Sequence, residues 1–132
     1  MIKTARLPHE LKPICRELID RFPNGAVVLL RGELGAGKSE FVRQFASIFG
    51  YESASPTFGI MHEYAADFRH FDLYRIGSGG FFERGLHECA LEGWAFIEWA
   101  DEAIERFLAQ EQVACVQVQI DVENDARVVS YE

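Results

Sequence analysis

Ala26-Val-Val-Leu-Leu-Arg-Gly-Glu-Leu-Gly-Ala-Gly-Lys-Ser39 is the stretch on which the fold turns. Residues Ala26 to Leu30 form a short continuous apolar run, the pattern of a strand buried on both faces in a parallel sheet. Gly32 to Ser39 then match G-x-x-x-x-G-K-[ST] in full. From Lys38 the apolar residues Phe41, Val42, Phe45, Ile48 and Phe49 recur at helical spacing until Gly50 closes the run. Strand, glycine loop and helix in this order predict an α/β protein with a phosphate site at the junction. Gly32, Gly35 and Gly37 let the backbone point successive N–H groups at an anion, and the helix opening at Lys38 adds the positive end of its dipole. Lys38 is expected to reach the β- and γ-phosphates and Ser39 to place its hydroxyl on Mg²⁺. Nucleotide contacts are therefore expected along Glu33, Leu34, Gly35, Ala36, Gly37, Lys38, Ser39 and Glu40. A glycine-rich turn that binds nothing is the bland alternative.

Working outward, Leu11, Ile14, Cys15, Leu18, Ile19 and Phe22 predict an amphipathic helix that starts near Glu10, with Pro13 in its first turn. Asn24-Gly25 supplies the turn into the apolar strand. Beyond the loop helix, Phe58 to Tyr64 and Arg69 to Tyr74 read as a hairpin closing around Asp67. Gly77-Ser-Gly-Gly80 reads as a flexible break leading to a helix over Phe82 to Leu91. Trp94 to Ile97 is a second buried strand, and Asp101 caps a helix running to Gln110. Ala114 to Ile120 alternates, and Asp121 to Asp125 turns it into Arg127 to Tyr131 as a half-exposed antiparallel hairpin. The central sheet is thus expected to be mixed.

Mg²⁺ at a phosphate loop calls for a carboxylate at the end of a neighbouring strand, because a lone serine holds the ion poorly. Glu98, directly after Ala95-Phe-Ile97, has that Walker-B position and is the expected metal partner of Ser39. Asp72, the second carboxylate that qualifies as metal handle, lies in His70-Phe-Asp-Leu-Tyr-Arg75, where strand alternation puts His70, Asp72 and Tyr74 on one face. A strand-end salt bridge is the rival explanation for either carboxylate. Ser55-Pro-Thr57 follows the loop helix where related nucleotidases sense the γ-phosphate, although an ordinary turn accounts for it equally. No Asn-Lys-x-Asp guanine signal occurs, which favours ATP over GTP.

The 132 residues are 48% apolar and 26% charged, which suits one soluble P-loop domain over 1–132 with a single core. No apolar run reaches the roughly 20 residues of a membrane span and no secretory pattern opens the chain, so a cytoplasmic location is expected. Cys15, Cys89 and Cys115 are odd in number and widely spaced, arguing for reduced thiols. His9, His62, His70 and His87 lack metal-ligand spacing. Net charge is −8, with 8 basic and 5 acidic groups in residues 1–50 against 5 and 16 in residues 51–132. Stable, direct nucleic-acid binding by the chain alone is disfavoured, and any RNA connection is expected to run through a partner.

Gly32-Glu-Leu-Gly-Ala-Gly-Lys-Ser39, Ser55-Pro-Thr57, His70-Phe-Asp-Leu-Tyr-Arg75 and Ile97-Glu-Trp99, in this order, resemble the TsaE (YjeE) family. That resemblance covers about residues 7 to 120. It implies a three-layer α/β/α sandwich of the P-loop NTPase kind, with a mixed central sheet and antiparallel hairpins. It further implies weak ATPase activity supporting N6-threonylcarbamoyladenosine formation at position 37 of tRNA, together with the TsaD and TsaB proteins. By matching motif, Lys38 and Ser39 take nucleotide and metal, Thr57 lies in the switch-like segment, and Asp72, Glu98 and Trp99 act in the site. This chain departs from the family at Ala100, where proline is frequent, and in the glycine-rich segment from Gly77 to Phe82. Two other functions fit a phosphate loop: a small-molecule kinase, for which the arginines after Arg43 are few, and an ATP-dependent docking module without catalysis.

Overall fold

The computed structural model describes residues 1–57 and 59–131, apart from the side chains of Pro56 and Thr57. Among the described residues eight strands form one sheet: β1 (Ile2–Ala5), β2 (Val27–Arg31), β3 (Ser55–Thr57), β4 (Met61–Ala65), β5 (Phe68–Asp72), β6 (Trp94–Glu98), β7 (Cys115–Glu123) and β8 (Ala126–Tyr131). Their spatial order is β1-β8-β7-β2-β6-β5-β4-β3. The middle four, β7, β2, β6 and β5, run parallel, and both flanks are antiparallel. The expected mixed sheet is therefore present, with a parallel centre between hairpins.

The helices are α1 (Lys12–Arg21), α2 (Lys38–Ile48), α3 (Gly77–Glu83), α4 (Leu86–Cys89) and α5 (Glu102–Gln110), with a short 3-10 helix at Pro8–Leu11. Because successive strand residues point to opposite faces, the apolar run of β2 feeds two cores, one on each side of the sheet, in place of the single core expected from composition. Val28 and Leu30 pack with α1 and α2 around Phe41, Phe45 and Phe96, while Val27 and Leu29 pack with α3 and α5 around Phe71, Phe81 and Ile104. Helices thus cover both faces of the sheet, as the α/β/α expectation required. Phe45 is the hub of the first core, with ring centroids 4.7 Å from Trp94 and 4.9 Å from Phe96. Fully burying one such ring contributes about 1.5–3 kcal/mol.

The elements around the loop agree with expectation, and α5 is capped by Asp101 Oδ1 accepting from the Ile104 N–H at 3.2 Å. Three details are corrected. The turn Pro8–Leu11 is 3-10 and the α-helix proper begins at Lys12, which leaves Pro13 in its first turn. The expected break at Gly77 to Gly80 is itself the first part of α3, and the helix expected over Phe82 to Leu91 is divided at Arg84-Gly85. Burial of Phe81 edge-to-face against Phe71, at 5.7 Å, overrides the weak helix propensity of the glycines. The strand expected from Phe58 starts instead at Met61, Ser55–Thr57 forms a separate strand paired to it, and Phe58 lies outside the described residues.

Candidate functional site

The site lies at the C-terminal ends of β2, β6 and β5, where parallel strands release their chains into loops. Register places Leu30 beside Glu98, and Glu98 beside Asp72, in one row across three strands. This puts both candidate carboxylates at the mouth of the glycine loop that follows β2.

Gly32 opens that loop at φ +147°, and a Cβ there would lie 2.4 Å from the Ile120 carbonyl oxygen on β7. Only glycine lets the loop leave the sheet this close to its neighbour. Gly37 is the N-cap of α2 in the left-handed region, φ +106°, and turns the chain so that the Phe41 N–H donates to its carbonyl at 2.9 Å. Leu34, at the loop's tip, is 71% exposed, whereas Ala36 is buried against the core. Ser39 is exposed in the first turn of α2. Glu40 accepts from Arg43 at 2.6 Å and Gln44 at 2.9 Å, so its carboxylate is held on the flank of the helix.

Lys38 is only 5% exposed. Its Nζ donates to the Gly32 carbonyl at 2.7 Å, stands 3.4 Å from Glu98 Oε1, and lies 4.6 Å from the centre of the Trp99 ring. Glu98 is also buried, at 6% exposure, and its other oxygen, Oε2, accepts from His70 Nε2 at 2.5 Å. Burial pushes the Glu98 carboxyl up, but the hydrogen bond and charge of His70, joined by Lys38, outweigh it and hold the group below its ordinary value. His62, opposite His70 on β4 with ring centroids 5.8 Å apart, is pushed down by burial and by the neighbouring ring.

Asp72 is half-buried, and its Oδ1 accepts the Tyr74 N–H at 3.0 Å. Tyr74 does not continue the face of His70 and Asp72, because β5 ends at Asp72. Its ring packs edge-on against Trp99 at 5.0 Å. Trp99 adopts φ +65°, a conformation that costs a bulky residue on the order of 1–3 kcal/mol, and it remains 37% exposed. Thr57 is the last residue of β3, at the sheet's far edge. Lys38, Glu98 and Trp99 are thus brought into contact and Asp72 into the adjacent register.

Two contributors escaped the sequence. His70 shared the expected face with Asp72, but its bond to Glu98 depends on β5 lying beside β6, which no spacing along the chain reveals. Arg31 donates to the Ala100 carbonyl and stands 3.6 Å from Glu105, tying the end of β2 to the turn after Glu98. Beside Gly37 a cavity of about 300 Å³ opens between Leu7, Pro8, Leu11 and Arg127. A larger depression, about 500 Å³ over Gln117, Gln119 and Ser130, includes no loop residue.

The parallel centre, the glycine loop and the buried lysine at the head of α2 define a P-loop NTPase-like α/β protein. The sequence pattern of the family described as threonylcarbamoyl adenosine biosynthesis protein TsaE matches residues 6–129. Among curated proteins, tRNA threonylcarbamoyladenosine biosynthesis protein TsaE of Bacillus subtilis is 36% identical over 115 residues, 83% of this chain and 72% of that protein. Its namesake in Rickettsia conorii is 33% identical over 105 residues, 74% of this chain and 60% of that protein. The match spans 58% of the Rickettsia felis relative, so this chain covers under two thirds of both Rickettsia proteins. A crystal structure of Bacillus subtilis YdiB superposes with a TM-score of 0.60 at 28% identity, covering 99% of this chain and 83% of the other. The chain belongs to the TsaE family, involved in tRNA threonylcarbamoyladenosine biosynthesis, as the motif resemblance implied.

Proposed function

We propose that the chain binds ATP with Mg²⁺ between the glycine loop and the ends of β5 and β6, and hydrolyses it in support of N6-threonylcarbamoyladenosine formation on tRNA, alongside TsaB and TsaD. The observation that carries this function is the position of Lys38, buried at the head of α2 with its ammonium between the Gly32 carbonyl and Glu98. A lysine whose partners are one carbonyl and one carboxylate can exchange them for phosphate oxygens, which likewise form charge-assisted hydrogen bonds with it.

The donor set fits the ligand. Gly32 and Gly37 both take positive φ, and at Gly32 the Ile120 carbonyl leaves no room for a Cβ, backbone conformations suited to a loop whose N–H groups face an anion. The Ser39 hydroxyl and the Glu98 carboxylate are hard oxygen donors suited to Mg²⁺, which commonly takes one or two carboxylates and completes its shell with phosphate and water. The cavity beside Gly37, lined by Leu7, Pro8 and Leu11 together with the charged Arg6, Glu40, Asp125 and Arg127, is the candidate place for the base. Bound MgATP supplies the reactive γ-phosphoryl group and the metal charge that offsets negative charge in the transition state.

The residues then divide the work. Lys38 neutralises the β/γ-phosphates, Ser39 and Glu98 hold the metal, and Asp72 adds a second negative group close to Glu98. Trp99 walls the Lys38 ammonium from water, and Thr57 belongs to the segment expected to respond to the γ-phosphate. No arginine lies within the loop or Ser55–Thr57 themselves, so those two segments offer the γ-phosphate no cation other than Lys38, although β8 brings Arg127 beside Gly37. Such a group supplied in trans is worth about 10³–10⁵ in rate, which favours slow turnover alone. The net charge of −8 likewise favours contact with tRNA through partners. Phosphate release is to be measured for the protein alone, with TsaD and TsaB, and with tRNA alone. Stimulation by the two proteins is expected. Stimulation by tRNA alone, rapid turnover without partners, or a phosphorylated small-molecule product would overturn the proposal.

A further inference from the structure

Glu98 is held from two sides by two chemically different groups. Lys38 stands 3.4 Å from Oε1, and the His70 ring bonds Oε2 at 2.5 Å. His70 is itself buried, reaching Glu98 from the neighbouring strand two residues before Asp72, on the same face of the sheet. A buried carboxylate with one partner removed is strongly unfavourable unless another hydrogen bond remains. Lys38 is the partner that leaves when it turns towards phosphate. His70 is the partner that stays.

We propose, on the basis of the ATP and Mg²⁺ binding above, that His70 is a positioning residue for the metal: its Nε2–H holds Oε2 so that Oε1 faces the glycine loop. In this arrangement His70 touches neither nucleotide nor metal. Its effect passes through the orientation of a single carboxylate, as outer hydrogen-bond partners do at metal sites generally. The Glu98 rotamer is thereby set before any ligand arrives, and little ordering is left for the metal to impose. Among the described residues Asp72 has no such partner: its side-chain bond is to the local Tyr74 N–H, which fixes a turn and leaves the residue half-exposed.

The test separates metal from nucleotide. Mn²⁺ in place of Mg²⁺, titrated by electron paramagnetic resonance into protein saturated with a non-hydrolysable ATP analogue, reports metal affinity without turnover. Calorimetry of the analogue in EDTA reports nucleotide affinity without metal. His70→Phe and His70→Asn remove or shorten the donor, and each is expected to weaken Mn²⁺ binding about 10–100-fold. His70→Gln places an amide nitrogen close to the position of Nε2 and is expected to restore most of that affinity. Metal-free analogue binding should change less than about threefold in all three. If His70→Phe does not fold, as thermal unfolding will show, the comparison of Asn with Gln decides. Unchanged Mn²⁺ affinity in the Phe or Asn variant, a Gln variant as weak as Asn, or an equal loss of metal-free binding would overturn the role of His70. Failure of the unsubstituted protein to bind the analogue at all would instead overturn the functional proposal on which it rests.

Discussion

Glu98→Gln removes one charge from the centre of the site and almost no volume, and its consequence for stability follows from the geometry. At 3.4 Å, the attraction between Lys38 and Glu98 is about 5 kcal/mol at an effective dielectric constant of about 20. Desolvating the two ions opposes this by several kcal/mol each, so the pair is no large net gain over apolar side chains. Breaking it is a different matter, because Lys38 then remains buried without its counter-charge, at a typical cost of about 3–5 kcal/mol. The amide softens that cost: its oxygen can still accept from Lys38, and its NH₂ can donate to the His70 ring if the ring changes tautomer. A loss of about 2–3 kcal/mol is therefore expected near neutral pH, with the full range reserved for Glu98→Ala. For a domain of this size that corresponds to a fall in Tm of roughly 6–15 °C. The pH dependence has a definite sign. The folded carboxyl is held below its ordinary value of 4.5, so the stability it contributes is present above 4.5 and is lost as pH falls through the folded value. Urea unfolding of both proteins from pH 7 downwards should show a constant gap above pH 5 that narrows below 4.5. A gap under about 0.5 kcal/mol at pH 7, or one that persists unchanged in acid, would refute the buried charge pair.

Other substitutions probe the remaining parts. Lys38→Ala should reduce ATP affinity by about 10–100-fold, since charge-assisted hydrogen bonds contribute about 1.5–3 kcal/mol. Calorimetry showing unchanged affinity in a folded variant would exclude the phosphate loop. Asp72→Asn should lower Mg²⁺-dependent phosphate release more than nucleotide binding, because the amide still accepts the Tyr74 N–H and leaves the turn intact. Equal loss of both would indicate a structural role instead. Gly32→Ala should prevent folding or destabilise by more than about 3 kcal/mol, as its Cβ meets the Ile120 carbonyl at 2.4 Å and the backbone is left-handed. Near-wild-type circular dichroism and Tm would contradict that geometry.

The parallel centre of the sheet was legible because β2 and β6 are continuous apolar runs, a pattern that only burial on both faces explains. The loop was legible because its chemistry demands glycines at fixed places. What escaped depends on contacts between segments distant in sequence. The strand Ile2–Ala5 buries only Ala5, so it lacks the alternation that marks a strand, and its pairing to β8 supplies what the pattern does not. The helix Gly77–Glu83 reads locally as a loop and forms because Phe81 finds the second core. At the site, Glu98 and Asp72 could be nominated from their strand ends. The bond from His70 and the reach of Arg31 to Ala100 arise from strand order, which a motif does not encode.

The contact of Trp99 with Lys38 also makes the site visible to light. The chain has two tryptophans, and they sit in contrasting surroundings. Trp94 is sealed among Phe22, Phe45 and Phe96, remote from any event at the loop, and its emission should stay constant. Trp99 is partly open to solvent and carries an ammonium 4.6 Å from the centre of its indole. Any ligand that draws that ammonium away alters the field across the ring, so occupancy can be followed as a change in intrinsic fluorescence, with the buried indole as a built-in reference.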